Sequence, residues 1–73
     1  MKRVKVIIDR TYAELGEGTT VAVAVKRALE RHDRRAKDAQ KRGKIVPLTC
    51  AQLARKRGLS MYVTEISADS EDS

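Results

Sequence analysis

Cys50 and His32 carry the side chains in this sequence best suited to act as a nucleophile and a base. Each is the only residue of its type, so together they fall short of the ligand set of a zinc site. Cys50 is expected in the first turn of a helix, where the helix N-terminus and nearby basic residues would lower its thiol pKa. His32 is expected to pack on the apolar side of a helix. These residues predict no metal site, no cofactor and no enzyme.

A second candidate for chemistry is "LGEGTT" (15–20), which lies between a predicted strand and a predicted helix, as a phosphate-binding loop does. It lacks the third glycine and the Gly-Lys-Ser/Thr ending of such loops. Glu14 and Glu17 lie beside and within it, and their charges would repel a phosphate. We therefore expect residues 10–18 to form a loop, broken by two glycines. Glu14 and Glu17 are its candidate contacts with a partner.

The charge of the chain is concentrated in its middle. The formal net charge is +6, and residues 26–44 carry nine basic and three acidic side chains. Residues 58–73 carry four acids and no base. A protein of this kind is attracted to nucleic acid, to acidic protein surfaces or to anionic lipid. The candidate partner-binding residues, chosen by charge alone, are Arg27, Arg31, Arg34, Arg35, Lys41, Arg42, Lys44, Arg55, Lys56 and Arg57.

The length of the chain limits it to one domain with a thin core. Its 73 residues include two Tyr and neither Trp nor Phe. No apolar run approaches the roughly 20 residues of a membrane span. Asp9 and Arg10 interrupt the first apolar run, which argues against a signal peptide. The single cysteine permits no internal disulfide. We expect a cytoplasmic monomer that does not associate with membranes.

Hydrophobic periodicity predicts a small α+β domain over residues 1–66. "RVKVIID" (3–9) alternates apolar and polar side chains and predicts a strand. Apolar residues at spacings of three and four predict one long amphipathic helix over 20–42, with Gly43 just beyond its end. "VAVAV" (21–25) also fits a strand, but the helical spacing continues through it and beyond.

The second half of the chain predicts a short helix and another strand. Thr49 followed by Gln52 matches a capping box, and Gly58 ends the helix that it begins. "SMYVTEI" (60–66) alternates and is expected to pair with the first strand. The expected fold has two or three strands in all. The sequence "SADSEDS" (67–73) predicts a disordered acidic tail.

The stretch "LTCAQLARKRGLS" (48–60) resembles the first half of a helix-turn-helix, with Leu53 and Ala54 facing inward. In such a motif the second helix enters the major groove and its early residues contact bases. Residues 60–66 contain no Arg, Lys, Asn or Gln, the side chains that most often read bases. The first half of the motif matches and the second half does not. A DNA-binding module at 48–66 remains the alternative interpretation.

The whole chain, with its opening "MKRVKVIIDRTYAEL", its basic middle and its α+β pattern, resembles the small inhibitor and antiterminator proteins that bacteriophages direct against the RNA polymerase of their host. The resemblance implies binding near the N-terminus of the polymerase β′ subunit. It also implies hindered promoter engagement by the σ-containing enzyme and read-through of terminators. No functional motif carries over residue by residue.

The sequence therefore predicts a protein that acts by stoichiometric binding, with bacterial RNA polymerase as the first candidate partner. There are two alternatives. One is a module that binds duplex DNA through a degenerate helix-turn-helix, and the other is an RNA-binding or ribosome-associated accessory protein. Binding dominated by phosphate contacts loses affinity by orders of magnitude between about 50 and 200 mM salt, whereas a shape-complementary protein contact persists.

Overall fold

The computed structural model describes residues 1–66, which form a three-stranded antiparallel sheet with one face covered by a long helix. The elements are β1 (Lys2–Ile8), β2 (Tyr12–Gly18), α1 (Val21–Lys41), α2 (Cys50–Arg57) and β3 (Met61–Ile66). The strand order is β2-β1-β3, so β1 is central and the other two strands are edges. The α+β prediction is confirmed. The predicted disordered tail lies outside the described residues.

The first two strands form a hairpin, which corrects the prediction of a loop over residues 10–18. Ile8 pairs with Tyr12, and the register continues to Lys2 opposite Gly18. The connecting turn places Asp9 and Arg10 at φ values of 55° and 61°. These are the left-handed conformations of a type I′ turn, which suits the twist of a hairpin. The turn could not be recognised from the sequence because Arg10 occupies a position where glycine is favoured.

The glycines of β2 allow close packing and do not break the strand. A Cβ atom at Gly16 would lie 2.0 Å from the backbone oxygen of Ala24 and 2.8 Å from the backbone nitrogen of Ala28. Both distances lie below 3.0 Å, which real Cβ contacts essentially never show, so only glycine lets α1 lie this close to the sheet. "LGEGTT" is therefore the end of a strand and a helix cap, and the phosphate-loop geometry is absent from it.

The long helix forms where it was predicted. Thr20 caps it by accepting a hydrogen bond from the Val23 amide at 3.2 Å. The helix ends at Lys41, and Gly43 follows with φ +88°. Its inner side carries three small residues and one larger one that are all buried: Ala24, Ala28, Ala36 and His32. Small side chains on the helix and glycines on β2 bring the two backbones together.

The core is built from the inner face of β1 and from α2. Val4, Val6 and Ile8 are fully buried beneath α1, and Leu53 of α2 packs against them. Ala54, which was expected to face inward, is exposed. Because α2 has only two helical turns, one large side chain is enough to attach it to this core.

The helix α2 and the strand β3 form where the second half of the sequence predicts a short helix and a strand. Thr49 and Gln52 form the predicted capping box, and Gly58 ends the helix with φ +79°. β3 pairs antiparallel with β1, as predicted, with Arg3 opposite Ile66. Since residues 61–66 form a strand, α2 is followed by sheet where a helix-turn-helix would place its recognition helix.

Candidate functional site

Arginines line one side of α1 beside β2 and border two adjoining clefts of the described chain. Arg27, Arg31 and Arg34 line a cleft of about 280 Å³ together with Glu17 and Glu30. An adjoining cleft of about 530 Å³ is lined by Arg31, Arg34, Arg35 and Asp38. Spacings of three and four bring these residues to one side of the helix. We name Arg27, Arg31, Arg34 and Arg35 the arginine row.

Two members of the arginine row are held against the outer edge of β2. Arg27 Nη1 donates to the backbone oxygen of Glu17 at 3.2 Å, and Arg31 Nη1 donates to the backbone oxygen of Leu15 at 3.2 Å. Each guanidinium uses one of its five N–H donors in this way and keeps others for a partner. The two side chains are therefore ordered before any partner binds, which lowers the entropic cost of binding.

Arg35 covers a buried carboxylate. Its Nη1 lies 3.0 Å from Oε2 of Glu14, whose side chain is 4% exposed. Glu14 lies opposite Val6 on the helix-facing side of the sheet. Arg35 thus neutralises a charge that would otherwise be costly to bury. Glu14 and Glu17 were both predicted to contact a partner from a loop, but Glu14 is buried beneath Arg35. Glu17 is partly exposed and is paired with Arg3 Nε at 2.7 Å.

The other basic residues predicted to bind a partner lie outside the arginine row. Arg42 pairs with Asp38 at 3.1 Å, and Lys41 and Lys44 are exposed around the end of α1. Arg55, Lys56 and Arg57 are exposed in the last turn of α2. Arg57 is bound to Asp9 in the hairpin turn, and this hydrogen-bonded pair raises the pKa of the guanidinium. The predicted basic residues are thus divided between α1, the segment just after it and α2.

Cys50 and His32 have structural roles. Burial, followed by the charge of Asp33, raises the pKa of the Cys50 thiol to about 11, so the expected lowering is wrong. Asp33 lies in α1 and accepts a hydrogen bond from the Cys50 amide at 2.8 Å. His32 is fully buried, with Nε2 2.8 Å from the oxygen of Leu48 and its ring 5.1 Å from that of Tyr12. The expectation that His32 packs in the core is confirmed.

The structure also reveals an apolar surface that charge counting missed. All six residues of β3 are exposed, and four of them are large and apolar: Met61, Tyr62, Val63 and Ile66. The alternation of side-chain types over residues 60–66 predicted a strand, but it did not predict that this strand lies at the edge of the sheet.

Within residues 1–66 no helix is long and apolar enough to cross a membrane, and no group of three or more His, Cys, Asp or Glu is placed to hold a metal ion. Comparisons with protein-family models, with curated proteins and with solved structures find no match to this chain.

Proposed function

We propose that this protein is a non-enzymatic transcription regulator, encoded by a bacteriophage, that binds bacterial RNA polymerase in the host cytoplasm. The proposed target is the N-terminal region of the β′ subunit. Binding there would inhibit σ-dependent initiation and promote antitermination. The observation that carries the binding role is the arginine row, and the choice of polymerase rests on the resemblance of the whole chain.

The geometry of the arginine row favours an acidic protein surface as its partner. Arg27 and Arg31 are fixed by backbone carbonyls, whereas Arg34, about one helical turn beyond Arg31, is exposed. Fixed guanidinium groups bind carboxylates or phosphates in a directed, two-pronged manner that lysines do not reproduce, so the acidic residues beside them decide between the two. The row alternates with Glu30 and Asp38, so a partner must match charges of both signs. Such a mixed pattern is poorly suited to the uniform charge of a nucleic-acid backbone.

DNA binding is the second candidate function, through the basic surface as a whole. Arg55 and Lys56 on α2 are exposed and carry no hydrogen bond or ion pair within the described residues. Because residues 61–66 form a strand, this candidate has no recognition helix to contact bases. Its mode of binding would be contact with the phosphate backbone. It therefore predicts a steep dependence of affinity on salt.

The decisive experiment measures binding of the purified protein to core RNA polymerase by fluorescence anisotropy, with a dye on the N-terminus. Arg34→Glu is the test variant because Arg34 is exposed and makes no hydrogen bond or ion pair within residues 1–66. Lys26→Glu is the matched control, since it changes the net charge equally on the exposed side of the same helix. We expect Arg34→Glu to weaken binding at least tenfold, about 1.4 kcal/mol, and the control to change it little.

Three results would contradict the proposal. One is the absence of polymerase binding at about 200 mM salt, combined with binding to duplex DNA at lower salt. Another is equal weakening by Arg34→Glu and Lys26→Glu, since net charge alone would then explain the affinity. The third is unchanged run-off and read-through transcription at saturating protein, which would exclude a regulatory role even if the polymerase is bound.

A further inference from the structure

The segment that connects α1 to α2 exposes two adjacent large aliphatic side chains. Ile45 is 81% exposed and Val46 is 59% exposed, and no large hydrophobic side chain of the described residues is more exposed than that of Ile45. We name these two residues the apolar tip. Burial of one such side chain changes an equilibrium constant by roughly ten- to a hundredfold. A partner that covers the apolar tip would therefore gain a large part of its affinity there.

Hydrogen bonds hold the backbone on both sides of the apolar tip. The Lys44 amide donates to the Ala39 oxygen at 3.1 Å, and the Gly43 amide donates to the Gln40 oxygen at 3.0 Å. These two bonds form the Schellman motif that ends α1. On the other side, Nε2 of Gln40 donates to the Pro47 oxygen at 3.1 Å. The tip is therefore ordered before a partner binds, which lowers the entropic cost of binding.

The fold makes no use of the apolar tip within the described residues. A Schellman motif is often accompanied by a hydrophobic contact from the residue after the glycine, but that residue is Lys44. Leu48 is the first large apolar residue after the tip, and it packs against the core, whereas neither Ile45 nor Val46 does. Polar residues at positions 45 and 46 would thus serve the fold equally well.

Basic side chains surround the apolar tip. Lys41, Arg42 and Lys44 are all exposed, and residues 38–46 carry these three bases and one acid. Arg42 is paired with that acid, Asp38, at 3.1 Å. Lys41 and Lys44 form no ion pair with another residue of the described chain. A surface that is complementary to the tip is therefore apolar at its centre and acidic at its rim.

Other occupants of the tip fit this chemistry less well. Residues 67–73 contain no apolar side chain larger than alanine. A second copy placed tip to tip would bring Lys41 and Lys44 against their own counterparts. For insertion into a lipid bilayer, the two side chains together offer about half the carbons of one myristoyl chain, which by itself binds membranes only marginally. These comparisons favour a pocket on a protein.

The apolar tip lies close enough to the arginine row for one partner to contact both. Asp38 lines a cleft with Arg34 and Arg35 and pairs with Arg42, so this side of α1 continues to the end of the helix. The rise from Arg27 to Arg42 is about 22 Å. An interface of standard size covers about 800 Å² of each partner and is therefore about 30 Å across.

We propose that Ile45 and Val46 insert into an apolar pocket of the protein partner, and that carboxylates at the rim of this pocket lie beside Lys41 and Lys44. The apolar tip is then an anchor that supplies burial, whereas the arginine row supplies charge. The proposal rests on the proposed function, with RNA polymerase as the partner, and adds to it a second contact of different chemistry.

The test measures binding of the purified variants to core RNA polymerase by fluorescence anisotropy. Ile45→Ser should weaken binding at least about tenfold, because it removes the anchor. Ile45→Leu keeps the apolar volume and should bind within about threefold of the native protein. Tyr62→Thr is the control, since it removes a larger exposed side chain, 64% exposed, from β3 and keeps a residue suited to a strand. It should change the affinity little.

The salt dependence separates the anchor from its basic surroundings. Ile45→Ser should weaken binding by the same factor at about 50 and 200 mM salt, because apolar burial is not screened. Lys44→Glu should weaken binding too, and by a factor that shrinks as salt rises. Tighter binding by Lys44→Glu would overturn the assignment of an acidic rim.

The remaining outcomes separate this proposal from the proposed function. If polymerase binds the native protein and Ile45→Ser equally, the anchor is wrong and polymerase binding stands. If polymerase binds neither, the proposed function fails and this inference fails with it. The melting temperature of Ile45→Ser should equal that of the native protein, and a marked fall would assign the side chain to the fold and overturn the proposal.

Two parallel measurements identify other occupants. Vesicles of phosphatidylcholine and phosphatidylserine that bind the native protein but not Ile45→Ser would show that lipid covers the tip. Self-association at micromolar concentration that is lost in Ile45→Ser would identify a second copy. Either result would overturn the assignment of a pocket on the partner.

Discussion

Substitution of Gly16 by alanine tests whether the close approach of α1 to β2 determines the fold. The added Cβ would lie 2.0 Å from the Ala24 oxygen, whereas ordinary contact begins at 3.4 Å. The helix must therefore move away by about 1.4 Å, the difference of those two distances. A shift of that size forfeits much of the dispersion energy between α1 and the valines of β1. Overpacking of a core costs about 1–3 kcal/mol, and here the obstacle is backbone, so we expect about 3 kcal/mol.

The assay is reversible thermal and urea unfolding followed by circular dichroism. For a domain of this size each kcal/mol lowers the melting temperature by about 4–8 °C, so Gly16→Ala should lower it by roughly 15 °C. Gly43→Ala is the matched control. Gly43 has no heavy atom within 4 Å of its added Cβ, and φ is +88°. The control therefore costs only the left-handed backbone conformation, about 1–2 kcal/mol. If Gly16→Ala loses no more stability than Gly43→Ala, the packing argument is refuted.

Three further substitutions test local interactions. Arg10→Gly should stabilise the protein by about 1 kcal/mol, because glycine adopts the left-handed turn conformation without strain; a lower melting temperature would contradict the turn assignment. Thr49→Ala should cost about 1 kcal/mol through loss of the capping box, and an unchanged urea midpoint would exclude a stabilising cap. The folded thiol of Cys50 has a pKa of about 11 against 9.0 in the unfolded chain, so unfolding releases a proton in that interval and stability falls as pH rises. Cys50→Ala should lack this fall, and parallel stability profiles of the two proteins would contradict the raised pKa.

The elements predicted correctly are those whose signals lie within a few residues. Periodicity located α1, and the spacing of Thr49, Gln52 and Gly58 located α2 with its cap. The alternation of Val4, Val6 and Ile8 located β1 and its buried face. Each signal arises because side chains with the same environment recur at the period of the backbone.

The errors concern residues whose roles depend on distant parts of the chain. Local sequence predicts that Gly16 breaks regular structure, whereas in the fold it lets α1 pack closely against β2. Glu14 looks like a loop carboxylate, yet it is buried because Arg35, 21 positions later, neutralises it. The pKa of Cys50 rises instead of falling because burial and Asp33, 17 positions earlier, outweigh the helix N-terminus. No local pattern contains these contacts.

The arginine row combines charge with order. Contacts of its exposed guanidinium groups are electrostatic and are screened beyond about 8 Å at physiological salt. Arg27 and Arg31 have a second effect, because their hydrogen bonds to the backbone oxygens of Glu17 and Leu15 occupy the outer edge of β2 while the same side chains present charge to a partner. We therefore expect the arginine row to govern the rate and the salt dependence of association.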